Sequence, residues 1–338
     1  MAKGKHTGVK IAGTIGAVLL LGLGGAYLAL RGPTIPFEKL EQTWATDKSR
    51  YVDLANDVRI HYREDGSKDG PVLVLVHGYG DSHFTWEGWT QALSQTYRVI
   101  SVDLPGHGLS RAPVDYALNP DVLADLVAEV ATKAGAERFA IAGNSLGGGV
   151  SWRTAVRHPE RVEALVLVDA AGWPPSKPLT ESPSLAFRVL SHPWGREFLK
   201  KIDNKPLIRQ GLKGQVGDPE VITDAFIDRW AELQRAPFHR DILLNANIGA
   251  NATATPEVIS TIKAPTLILW GEVDPLITKD AGEKFAEHIA GSKLIIYPKV
   301  GHLPQVEIPE ASAKDVAAFL SGLTKKDAEP AAKPAKTA

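Results

Sequence analysis

RFAIAGNSLGGGVSWRTAVRHP, residues 138–159, is the stretch on which the reading of this chain turns. Arg138 to Asn144 is a short apolar run, too brief for a helix and edged by Gly and Asn, and reads as a buried strand. Ser145 to Pro159 carries its apolar residues at helical spacing and reads as a helix. At the junction stands Gly143-Asn144-Ser145-Leu146-Gly147, a G-x-S-x-G pentapeptide on a strand-to-helix turn. So tight a turn forces its central residue into strained backbone geometry, and bulky side chains two residues away on either side would collide. Gly143 and Gly147 remove those collisions. The Ser145 oxygen is thereby presented above the sheet at a helix N-terminus, where free N–H groups and the helix dipole favour developing negative charge.

The same alternation extends outward in both directions. Tyr51 to Arg63 alternates apolar and polar residues as a hairpin does. PVLVLVHG (71–78), YRVISVD (97–103), VEALVLVDA (162–170), APTLILWGE (264–272) and KLIIYP (293–298) are further apolar runs of strand length. Helical spacing fills the gaps at 86–95, 119–133, 279–290 and 309–322. This pattern predicts a mostly parallel sheet with helices on both faces. It lapses between about Trp173 and Ile259, where Pro, aromatics and short helical patterns such as 221–234 predict an inserted helical cap. The aromatics of that insert, Phe187, Trp194, Phe198, Phe226, Trp230 and Phe238, read mostly as its core, with a minority lining a pocket.

A Ser hydroxyl needs a base to take its proton. Of ten His residues, His302, in Gly301-His302 after KLIIYPKV, sits on a loop beyond a late sheet strand and is the candidate. His77, in His77-Gly78-Tyr79-Gly80, reads as a brace for its own loop. His107 sits in a Pro/Gly-rich turn, DLPGHG, and His158 reads as a charge at a helix C-terminus. His61, His83, His192, His239 and His288 have no motif around them. The acid that orients the imidazole must lie past a strand end. Asp274, in Gly271-Glu272-Val273-Asp274-Pro275, is preferred, and Asp169 at the end of VEALVLV is the alternative.

Composition excludes other chemistries. The chain has no Cys, so disulfides, thiolate metal sites and Cys nucleophiles are ruled out. A net charge of -1 over 338 residues offers nothing to nucleic acid. No phosphate loop or metal-ligand cluster is legible, and no cofactor or metal is implied. Ile11 to Leu30, IAGTIGAVLLLGLGGAYLAL, is uncharged for twenty residues. As a helix it spans about 30 Å, the thickness of a bilayer core. Lys3, Lys5 and Lys10 precede it and Arg31 follows, which favours a cytoplasmic N-terminus and a body on the other face. A cleaved signal peptide is the competing reading, but AYLALRGP lacks a small-x-small site.

The chain therefore divides into a basic flank and transmembrane anchor (1–31), a polar connector (32–50), one domain (51–322, cap about 173–259) and a disordered tail (323–338). Together the HGYG loop, DLPGHGLS, GNSLGG, the GEVDP turn and VGHLPQVEIPE resemble, in order and spacing, the α/β-hydrolase superfamily over residues 50–322. The resemblance implies the α/β-hydrolase fold and a triad in the chain order Ser145, Asp274, His302. It further implies an oxyanion hole formed by the backbone N–H groups of Tyr79 and Leu146. The chain is similar to bacterial esterases, lipases and membrane-anchored monoacylglycerol lipases. These imply hydrolysis of carboxylic esters, and a body tethered by the anchor favours lipophilic ones such as monoacylglycerols. It is similar also to meta-cleavage C–C hydrolases, which share Asn before the nucleophile, as Asn144 is here. Leu303 stands where those enzymes usually have an aromatic residue. A non-catalytic ligand-binding protein of the same fold is the reading from outside enzymology; such proteins generally lose a triad member, and none is missing here.

Overall fold

The computed structural model describes residues 30–174, 192–246 and 253–328. The uncharged stretch, apart from Leu30, lies outside the described residues, as do 329–338. Among the described residues no helix is long and apolar enough to cross a membrane.

Eight strands make one sheet. They are β1 (Ser49–Asp53), β2 (Arg59–Asp65), β3 (Val72–Val76), β4 (Arg98–Val102), β5 (Phe139–Asn144), β6 (Val162–Val168), β7 (Thr266–Gly271) and β8 (Lys293–Tyr297). Their order is β1-β2-β4-β3-β5-β6-β7-β8. β2 runs antiparallel to β1 and β4, so the expected hairpin forms one edge, and every other pairing is parallel. All residues of β4, β5 and β7 are buried, which is why these strands read as unbroken apolar runs rather than as alternations. Helices α1 (Phe37–Trp44), α2 (Glu87–Leu93), α3 (Pro120–Lys133) and α4 (Leu146–Arg157) precede the insert. One sheet face packs Val74, Ile100 and Ile141 against Leu123, Val127 and Val150 of α3 and α4. The other packs Leu73, Leu75 and Val166 against Trp89 and Leu93 of α2 and against Val316 and Leu320 near the C-terminus.

The insert leaves the sheet after β6 and returns at β7, its nearest parallel neighbour. Its described helices are α5 (Pro193–Leu199), α6 (Lys205–Gly214), α7 (Asp224–Leu233), α8 (His239–Asn245) and α9 (Pro256–Ile259). Thr223 caps α7 by accepting the Phe226 N–H, which fixes where that helix starts. Three aromatics expected in the cap core, Trp194, Phe198 and Phe238, are exposed instead, and Phe187 lies outside the described residues. Short helices lying on a domain have two faces, and aromatic content alone does not say which face a residue takes. After β7 come α10 (Lys279–His288), α11 (Pro304–Glu307) and α12 (Pro309–Ala328).

The structure corrects both terminal expectations. The connector is not a bare tether, because α1 buries Phe37 and Leu40 in a cluster with Phe84, Leu109 and Leu233. Eight residues of helix are too few for its apolar pair to stand out from a polar connector. The last helix also runs on to Ala328, so the first residues of the expected disordered tail are helical. Leu40→Ala is expected to cost about 2–4 kcal/mol in urea denaturation, as a fully buried Leu does. A loss under about 0.5 kcal/mol would return this segment to linker status.

Candidate active site

Ser145 stands between β5 and α4 with φ +54° and ψ −118°. Strained backbone of this kind costs of the order of 1–3 kcal/mol and survives only where packing dictates it. Here the Ser145 N–H donates to Val168 O at 3.0 Å, and its carbonyl accepts the N–H of Gly149 at 3.0 Å and of Ala171 at 2.9 Å. A Cβ on Gly143 would lie 2.1 Å from Gly147 O, and one on Gly147 would lie 2.1 Å from Val76 O. Both obstacles are backbone, so neither glycine tolerates a side chain.

His302 Nδ1 lies 2.7 Å from Asp274 Oδ2, with both residues buried. The other Asp274 oxygen accepts the N–H groups of Leu276 at 2.7 Å and Ile277 at 3.1 Å. A carboxylate fixed in this way holds the proton on Nδ1 and leaves Nε2 as the basic nitrogen. Asn144 then joins the two halves of the site. Its Nδ2 donates to His302 O at 3.0 Å and to Val168 O at 3.2 Å, so the residue before Ser145 carries the His302 loop.

Two further supports have no role assigned from the sequence. Glu307 accepts the N–H of Gly301 at 3.0 Å, of Leu303 at 3.2 Å and of Gly217 at 2.7 Å. The His302 N–H itself donates to Gln215 O at 2.8 Å, a contact from the end of α6 in the cap. Spacing along the chain could not reveal the Gln215 contact, because Gln215 and His302 are brought together only by the folded insert. Glu307, in VGHLPQVEIPE, was visible but carried no assigned task.

The loop after β3 is clamped from both sides. His77 donates from Nδ1 to Gly78 O at 2.7 Å and accepts the Leu104 N–H on Nε2 at 3.0 Å. Burial pushes its pKa down to about 4, so it is the neutral brace expected. His107 donates to Pro105 O at 2.9 Å, and His158 pairs with Asp125 at 2.8 Å; both suit the structural readings given them. Cap residues hold the loop from above, Gln234 donating to Gly80 O at 3.0 Å and the Tyr79 hydroxyl donating to Leu243 O at 2.6 Å. Among the described residues no hydrogen bond uses the backbone N–H of Tyr79 or Leu146. Both donors of the expected oxyanion hole therefore remain available to a substrate oxygen.

Asp169, the alternative acid, is fully buried at the end of β6, and its Oδ1 accepts the Gly271 N–H at 2.9 Å. Burial, and after it the Asp274 charge, raise its pKa well above the usual carboxylate range. That environment favours the neutral acid, whereas the partner of an imidazolium must be an anion. The geometry therefore supports Asp274. Asp169, Asp274 and His302 form one of two groups, among the described residues, whose donor atoms converge as metal ligands would. The other is His61, His83 and Asp103, where the carboxylate meets His61 at 2.8 Å and His83 at 3.0 Å and accepts the N–H groups of His83 and Leu109. Burial alone would raise the Asp103 pKa, but the two imidazoles hold it well below the carboxylate range. With its oxygens already facing donors, Asp103 is a brace between β2, β4 and the following loops.

One titrating group near the loop escaped the sequence reading. Asp81, next to Gly80, is buried, and burial pushes its pKa up to about 7.

Comparison with known proteins bears on the chain as a whole. The model of the alpha/beta hydrolase family matches residues 73–318. Lipase 3 of Moraxella sp. (strain TA144) is 28% identical over 279 residues, covering 80% of this chain and 84% of that protein. The crystal structure of a membrane phospholipase A, described as a bacterial virulence factor, superposes with a TM-score of 0.67 at 26% identity, covering 92% of this chain and 98% of that one. A meta-cleavage product hydrolase from Pseudomonas fluorescens IP01 superposes with a TM-score of 0.66 at 25% identity, covering 81% and 97%.

Asp274→Asn is expected to lower kcat by orders of magnitude, since an amide holds the wrong imidazole tautomer, while Asp169→Asn stays within about tenfold of the parent. The reverse order would move the acid to the end of β6. Asp81 gives a pH signature. Its proton is held more tightly in the folded protein than in the unfolded chain, so it favours folding most below about pH 4 and progressively less towards pH 7. In urea melts the stability of Asp81→Asn relative to the parent should therefore rise between about pH 4 and pH 7. A difference independent of pH would show that Asp81 does not titrate in this range.

Proposed function

The chain belongs to the alpha/beta hydrolase family, and on that premise we propose that it is a serine hydrolase of lipophilic carboxylic esters, monoacylglycerols among them. That it is a hydrolase follows from its family and relatives. The ester reading rests above all on one observation: Ser145, on its strained turn, is tied through Asn144 to the His302 loop, whose imidazole is fixed by Asp274. In the proposed reaction His302 Nε2 takes the Ser145 proton as Oγ attacks the ester carbonyl. The Tyr79 and Leu146 N–H groups stabilise the oxyanion. The imidazolium then protonates the departing alcohol, and water, deprotonated by the same nitrogen, releases the acid and restores Ser145.

We propose further that residues 11–30 cross a membrane, with the N-terminus in the cytoplasm and the catalytic body on the other face. The uncharged span and its basic flank support this, as does the similarity to a membrane phospholipase A. Leu30 already contacts the folded body, its carbonyl accepting the Asp203 N–H at 2.7 Å. A pocket held so near the bilayer favours substrates that partition into it. Cleavage of C–C bonds in meta-cleavage products is the second reading, favoured by Asn144 and by the similarity to the P. fluorescens hydrolase.

Ser145→Ala should leave less than about a thousandth of parental turnover in a folded protein, and a fluorophosphonate probe should label the parent but not the variant. A parent that resists the probe would point to a ligand-binding protein. Esters of graded acyl length against a vinylogous dione substrate then separate the two chemistries, the esters being the faster under our reading. The full-length protein should remain with membranes, and a form cleaved near residue 30 in the soluble fraction would sink the anchor.

A further inference from the structure

The backbone that emerges at Leu30 does not hang free. Arg31 forms an antiparallel bridge with Ile202, the Gly32 N–H donates to Lys201 O at 3.0 Å, and Arg240 donates to the carbonyls of Gly32 and Ile202. The end of the uncharged stretch is thus a strand-like partner of the segment joining α5 to α6. Around that segment the cap turns apolar groups outward. Trp194 is 64% exposed and Phe198, one helical turn on, 47%, while Leu30 and Leu207 are also exposed. Cations accompany them. Residues 192–214 carry six Lys or Arg, of which Lys200, Lys205, Arg209 and Lys213 pair with Glu197, Asp241, Asp228, Asp224 and Glu220, while Arg31, Lys201, Arg235 and Arg240 add further positive charge along the same edge. The crevice at this junction is lined by Lys205, Arg235 and Arg240 with Asp203 as its one carboxylate.

We propose that this face, α5 and the start of α6 beside Leu30, docks onto the surface of a bilayer containing anionic phospholipid. The inference rests on residues 11–30 being a membrane span, as proposed above. A span ending at Leu30 brings whatever Leu30 is bonded to down to the headgroup layer, and here that is the Lys201–Asp203 segment. Exposed aromatics with Lys and Arg beside them are the composition that such an interface selects, and cations near an anionic surface add to the attraction. The consequence reaches the site. α6 starts at the docked edge with Lys205 and ends at Gly214, beside Gln215, whose carbonyl holds the His302 N–H. Ten residues of helix, about 15 Å, connect lipid contact to the proposed base.

Tryptophan quenching tests this without requiring turnover. Of the eight Trp residues, Trp194 alone is exposed, and none lies in the uncharged stretch. Full-length protein is reconstituted into vesicles of brominated phosphatidylcholine with about one lipid in five phosphatidylglycerol. Quenching relative to unbrominated vesicles is expected, and Trp194→Tyr should abolish it. Phe198→Glu with Leu207→Glu should lower the rate on a vesicle-borne ester about tenfold or more, and leave the rate on a soluble ester unchanged. Protein that sediments with vesicles yet shows no Trp194-dependent quenching would overturn the docking while sparing the anchor. Protein that fails to sediment would overturn both. Quenching equally strong without phosphatidylglycerol would overturn the anionic-lipid assignment.

Discussion

A serine held at φ +54° between a strand and a helix is the constraint around which this molecule is arranged. The angle is unfavourable by itself, and nothing local repays it. Its support comes from the sheet, since Ser145 N–H and O are both engaged by the segment at and just beyond the end of β6. That engagement demands β5 and β6 as parallel neighbours in register to their last residues, Asn144 opposite Val168. It also demands glycine at 143 and 147, where backbone oxygens fill the space a Cβ would take. The sheet order, the two glycines and the position of α4 are therefore one requirement met three ways.

Buried carboxylates around this turn behave differently because their neighbours differ. Asp274 faces an imidazole and two backbone N–H groups, so its charge is matched on both oxygens. Asp169, a short distance away, has one N–H and a neighbouring carboxylate, and its second oxygen has no partner. Ionising both would place two like charges together in a low-dielectric interior. Burial and the neighbouring carboxylate accordingly hold the Asp169 pKa well above the usual range. Asp103 shows the other limit, where two imidazoles and two backbone N–H groups make an anion stable in complete burial.

What was legible in the sequence follows a physical line. Strands buried on both faces must be continuously apolar, so β3 to β7 stood out, and Gly143 and Gly147 flanked Ser145 because sterics leave no other choice. The candidates Ser145, His302 and Asp274 stand out in the sequence because each sits at or just past a strand end marked by Gly or Pro. Long-range polar contacts were not readable. Gln215 supports His302 through a backbone carbonyl, which any residue type would supply, so no side chain advertised it. The His61–Asp103–His83 brace joins elements far apart in sequence, and its histidines carried no motif. The outward aromatics of α5 were misread for a related reason, since on a surface helix composition is informative only once the buried side is known.

The cap contacts bear on how substrate preference and rate are connected. An insert that only formed a pocket could be altered with effects confined to binding. This one also donates Gln234 to the Gly80 carbonyl, receives the Tyr79 hydroxyl on Leu243, and holds the His302 N–H on Gln215. Those three bonds end on the loop of the proposed oxyanion donor and on the loop of the proposed base. Moving α6, α7 or α8 therefore displaces groups whose alignment would set the barrier in the proposed reaction, where a shift of about 1 Å is costly in rate. Under the proposed reaction, specificity and turnover therefore share these hydrogen bonds, and a change in the cap acts on both.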